Sequence, residues 1–206
     1  MKTNEVKQEI YVYLKNKLSK KFPETFVLNE NNATNKIFWS KGQHEKPARP
    51  FVELDEIYKN KIRKRYNSTY INNTLQTIAQ WQLTVKFEVR TTSNEGNLLS
   101  GEYLAVEIID YIERLFTNSQ ETFDYFRNKG IIINELEASG IRDLSKFMYT
   151  NNEFVFSIDI PFQYDDIEIS DVVSGECVEI EINVDNQTDN TIRMEEFSNE
   201  NLWWLN

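Results

Sequence analysis

Between Gln80 and Phe116 the apolar residues change period once, and that change constrains the fold more than any other feature of the chain. Trp81, Leu83, Val85, Phe87 and Val89 alternate with Gln82, Thr84, Lys86, Glu88 and Arg90, the pattern of a strand with one apolar face and one wet face. After Thr92 to Asn97 the apolar residues fall at Leu104, Ala105, Ile108, Ile109, Ile112, Leu115 and Phe116, the spacing of a helix with one buried stripe. A strand therefore feeds a helix that lies back on the sheet. At roughly 1.5 to 3 kcal/mol per buried large apolar side chain, the stripe alone contributes on the order of ten kcal/mol, so this pair should be the core. It holds no catalytic group.

The flanking segments extend the same scheme. Val6, Ile10, Tyr13, Leu14 and Leu18 make an amphipathic helix of Asn4 to Leu18. Phe22 to Thr34 reads as loop, Lys36 to Trp39 as a short strand, and Gly42 to Pro50 as loop again. Phe51 to Tyr58 begins a strand whose return arm starts at Leu75 or later. The basic run Lys59 to Arg65 and the Asn-rich 67–73 between them are expected to form a long β-hairpin with a projecting tip.

Past the central helix, Ser119 is a good N-cap for a short helix carrying Phe123 and Phe126, and Lys129-Gly130 closes it. Ile131 to Ala138 reads as a strand, Ser139 to Asn152 as a long connection, and Phe154 to Tyr164 as the second core strand. The opposite face of that strand, Val155, Ser157, Asp159, Pro161 and Gln163, reads as polar, and Pro161 suggests an edge or a bulge. Val178, Ile180, Ile182 and Val184 then alternate with Glu179, Glu181 and Asn183, a strand pattern with an anionic face. The expected class is α+β: a mostly antiparallel sheet with a long hairpin, packed against an N-terminal helix and a central helix pair, with an acidic C-terminal β extension. The division is a domain of residues 1–164 and an extension of 165–206.

Charge follows the same division. The 206 residues carry a net charge of −10, but the segment from Asp165 onward holds 12 acids against one Arg, whereas Met1 to Tyr164 is +1. Cys177 and His44 are the only residues of their kinds, so an internal disulfide, a multi-thiolate metal site and Ser-His-Asp chemistry have nothing to stand on. No catalytic, cofactor-binding or metal-binding residue is singled out, and the chain reads as a non-enzyme. Met1 to Lys21 lacks the apolar core of a signal peptide and no run is long enough for a membrane span, so a cytoplasmic site of assembly without a membrane partner is expected.

Three sets of residues stand out as contact candidates. The basic cluster from Lys59 to Arg65 (Lys59, Lys61, Arg63, Lys64, Arg65), with Tyr58, Tyr66 and Tyr70 around it, suits solvent, a protein interface, or phosphates with stacking tyrosines. Arg142 and Asp143 after Gly140 suit an ion pair that fixes a loop within or between subunits. Trp203 and Trp204 put two indoles on a polar terminus, to dock on their own domain or on a neighbour. The acids that open the C-terminal segment, Asp165, Asp166, Glu168 and Asp171, suit a solvated outer flange or a strand paired to a neighbouring subunit.

The ordered set of pieces resembles the bacteriophage neck and tail terminator proteins, which cap the tail tube where it meets the head. The resemblance rests on Lys46-Pro47-Ala48-Arg49-Pro50-Phe51-Val52-Glu53-Leu54 entering the first long strand, and on Trp81 to Thr92 with its Val89-Arg90-Thr91. The helix from Leu104-Ala105 to Asp110-Tyr111-Ile112 follows, then Ser139-Gly140-Ile141-Arg142-Asp143-Leu144-Ser145 and Phe154 to Tyr164. It covers about Pro47 to Tyr164; the hairpin insertion and the acidic extension depart from it. The resemblance implies a structural virion protein of the neck that forms a ring, generally hexameric. Its partners would be its own copies, the tail tube protein and the head-completion proteins, with genome DNA passing through unbound. In such a ring Asp165, Asp166, Glu168 and Asp171 become candidates for lining the channel, where their charge would repel phosphates. Another neck component, such as a head-completion or adaptor protein, is the alternative within that setting, and a nucleic-acid-binding module the alternative outside it.

Overall fold

The computed structural model describes residues 1–27, 35–42, 46–71, 74–93, 98–145 and 153–171; for 42, 63–71, 74–77, 98, 99 and 167–171 it describes the backbone only. Two compact units divide the chain, Met1–Lys64 with Ala79–Asp166, and Arg65–Ile78 with Ile167–Asn206. The first holds the core. Of the second, the described part is the backbone of strand segments.

The helix α1 (Thr3–Lys21) starts where the Glu5 carboxylate accepts the Lys2 backbone N–H at 2.9 Å, and it buries Val6, Ile10, Tyr13, Leu14 and Leu18 as its spacing predicts. Phe22 to Thr34 departs from pure loop: Pro23, pre-set for a first helical turn, opens the one-turn α2 (Pro23–Phe26), whose Phe26 is buried. Strands β1 (Ile37–Trp39), β2 (Phe51–Ile71) and β3 (Thr74–Thr92) follow, the last two joined by residues 72–73. Then come α3 (Leu98–Thr117), α4 (Gln120–Asn128), β4 (Ile131–Ile133), β5 (Arg142–Asp143) and β6 (Glu153–Asp171). The Ser119 hydroxyl accepts the Thr122 N–H at 3.3 Å, capping α4, and Gly130 at φ 72° ends it in a conformation that only glycine adopts without strain.

These strands form one sheet in the order β1-β2-β3-β6-β4, with β5 also paired to β6. β1 runs parallel to β2, with Ile37 opposite Val52, while β4 and β5 run antiparallel to β6. The fold is α+β with a mostly antiparallel open sheet. In the first unit α1, α3 and α4 cover one face, and Tyr13, Phe87, Phe116, Phe126 and Phe162 meet at its centre; Phe116 lies 5.1 Å from Phe87 and 5.7 Å from Phe162, ring to ring.

Three expectations need correction. The strand expected over Ile131 to Ala138 lasts three residues and gives way to a 3-10 turn at Glu135–Glu137. Pro161 accounts for the break: the Asn134 N–H still donates to its carbonyl at 3.0 Å, but proline has no N–H to return, and the ladder stops there. Nor is β6 an edge strand; it lies between β3 and β4, with Pro161 buried. Finally, the second faces of β3 and β6 are not simply wet. Val155, Ser157 and Glu88 are buried there, and Phe38 and Phe51, which lie outside the main core cluster, stack 5.4 Å apart and are buried as well.

Candidate functional site

On the second face of β3, Glu88 is only 4 % exposed and sits between two cations on its own strand. Residues two apart on a strand share a face, which puts Lys86 and Arg90 on either side of it. Lys86 Nζ lies 3.0 Å and Arg90 Nη2 2.5 Å from the carboxylate. Burial by itself raises the Glu88 pKa, but the hydrogen bonds and charges of Lys86 and Arg90 outweigh it and hold the carboxyl below its ordinary range. Arg90 also reaches Glu153 at 3.5 Å, and Glu153 is paired with Arg49, so the network ties the loop before β2 to β3 and the start of β6. It is built to hold elements together, with every charge answered. The period-two pattern hid it because Glu88 occupies a position that alternation assigns to solvent.

Arg142 and Asp143 form β5, with Arg142 opposite Ser157 and Asp143 opposite Phe156. Arg142 Nη2 reaches Asp159 Oδ2 at 2.5 Å, a local ion pair, and Asp143 Oδ1 accepts the Ser145 N–H at 2.9 Å. The Ser139 hydroxyl adds a third tie by accepting the Asp159 N–H at 2.8 Å. The connection after Gly140 is thus fastened along β6.

Of the hairpin candidates, Arg63, Lys64, Arg65, Tyr66 and Tyr70 lie on β2, but their side chains fall outside the described residues, as do Trp203 and Trp204 entirely. Asp165 is exposed and its carbonyl accepts from the Met1 amino group at 2.8 Å, with the Asp166 carboxylate 3.8 Å from the same group. Glu168 and Asp171 continue β6, their side chains again outside the described residues.

The described part of the basic cluster, Lys59 and Lys61 of β2, stands over the Trp81 ring, at 4.5 and 5.5 Å from its centroid. One further surface was not among the sequence candidates. At the β4 edge an open groove of about 380 Å³ is lined by Phe123, Arg127 and the three isoleucines of β4, with Ile132 and Leu136 exposed by 55 % and 92 %. The Ile131-Ile132-Ile133 run is the signal that could have marked that edge, since a strand buried on one face needs only alternate apolar residues.

Among the described residues no group of three His, Cys, Asp or Glu is placed to hold a metal ion, and no helix is long and apolar enough to cross a membrane. What the first unit presents is ion-paired scaffolding and exposed strand surface, an arrangement suited to contact. No protein-family profile matches the chain, and no curated protein matches it.

Proposed function

We propose that this chain is a structural component of a phage neck, a ring-forming terminator that caps the tail tube and receives the head-completion proteins. The observation that carries the reading is the order and spacing of the segments from Pro47 to Tyr164 that resemble this family. Those segments fall on or directly beside β2, β3, α3, β5 and β6. The physical task fits such a chain. A tube grows by head-to-tail stacking of like faces and has no intrinsic end, so a ring with one tube-like face and one unlike face stops it. The task needs a rigid sheet and contact surfaces, and no nucleophile, metal or cofactor.

The test is to incubate the purified chain with tail tubes that lack a cap and to examine them by negative-stain microscopy. Rings seated at one end of the tubes, with elongation stopped, are the expected result. A chain that forms no ring and binds no tube end overturns the proposal, and salt-dependent retention on DNA in its place favours the nucleic-acid module.

A further inference from the structure

Among the described residues, the arm of β2 beyond β1 is a strand edge with no neighbouring strand. β1 pairs with Val52 to Leu54 and no further, so from Asp55 onward that side of β2 has no strand beside it among the described residues. Apolar residues stand exposed along it, Ile57 by 48 %, Tyr58 by 53 % and Ile62 by 37 %. Interleaved with them, Lys59 and Lys61 are held over the indole of Trp81, whose buried Nε1–H has no acceptor among the described residues. Lysines on an open edge ordinarily discourage pairing, because two such edges repel. Fixed in place on a ring, they also select: they refuse a second basic arm and accept an extended segment that alternates apolar residues with carboxylates.

The chain contains such a segment. Val178, Ile180, Ile182 and Val184 alternate with Glu179 and Glu181, within an end that carries −11 against a body of +1. Resting on the ring reading above, we infer that residues Val178 to Val184 of one copy dock on Asp55 to Ile62 of the next copy, with Glu179 and Glu181 facing Lys59 and Lys61. Donor and acceptor are different parts of the chain, so the contact is head-to-tail and repeats from subunit to subunit, as ring closure requires. It also makes association independent of the tube.

The experiment mixes full-length chain in two isotopic forms, joins carboxylates to amines with a zero-length cross-linker, and maps the products by mass spectrometry beside light scattering. Cross-links of mixed isotope from Lys59 or Lys61 to Glu179 or Glu181 are expected, with self-association that weakens as salt rises. Lys59→Glu with Lys61→Glu should abolish the associated species, and adding Glu179→Lys with Glu181→Lys should restore it. Cross-links confined to one isotope place the segment on its own copy and overturn the inference. A chain that associates without these cross-links also overturns it but leaves the ring reading standing. A chain that stays monomeric at every concentration overturns it too; only failure to bind tube ends then counts against the ring.

Discussion

At Glu88 the balance of burial and charge sets how the protein responds to acid. Because the carboxyl is held below its ordinary range in the folded state, the stability it contributes is fully present above the unfolded value and is lost as pH falls through the folded one. Glu88→Gln should therefore flatten the acid limb of the stability curve, and urea titrations from neutral to acid pH check this. Tyr125 contributes to the alkaline limb, as do Tyr111 and Tyr164, whose pKa values burial also raises: burial first, then its hydrogen bond to Glu9 at 2.7 Å, push the Tyr125 pKa up to about 12. Its contribution is present below the unfolded value and fades as pH rises towards the folded one. Arg142 is about half-exposed, so its pair with Asp159 is partly screened by water. Arg142→Ala should cost about 1 kcal/mol in denaturant melts, Arg142→Lys should recover part of that, and no activity should be lost with it.

For whole elements the decisive contact is the one between the first turn of α3 and the end of β3. A Cβ on Gly101 would stand 2.5 Å from the Thr92 carbonyl oxygen and 2.7 Å from the Ser93 nitrogen, both backbone atoms that cannot swing aside. The Thr91 hydroxyl donates to the Gly101 carbonyl at the same crossing. Gly101→Ala should destabilise by about 2 to 3 kcal/mol, visible as a lowered thermal midpoint, since overpacking forces the helix off the strand. Nothing in the periodicity announced this, because a glycine in a helix reads as a weak helix former until the neighbouring backbone is known. Elsewhere the elements were legible where one face was uniformly apolar: the stripes of α1 and α3, and the alternation of β3 and β6. Legibility failed at Pro161 and Glu88, where the structure depends on what lies across the sheet; at Arg142 an ion pair was expected, but not that its partner would be Asp159 on β6. Alternation reports the side on which a residue sits, but the partner strand decides whether that side is covered.

On the scale of the molecule, charge and folding order are both uneven. Ending the chain after Asp171 removes most of the acidic charge and all of Val178 to Val184 while retaining β6. Such a chain should keep its cooperative melt, yet show only monomer by light scattering. Its core closes late, because the contacts that complete it are far apart in sequence: Thr3 reaches the Tyr164 hydroxyl at 2.7 Å, and β6 must dock between β3 and β4. In that docking, β4 presents three identical isoleucines, so an alignment shifted by two residues still sets an isoleucine opposite Phe162. Pro161 tells the two alignments apart. With Asn134 opposite it, the fully bonded rung falls at Ile132 and Gln163; a two-residue shift would put Ile132 against the proline and leave its carbonyl without a donor. The missing N–H thus acts as an alignment mark: it rejects the near-miss that a run of equal side chains would otherwise permit.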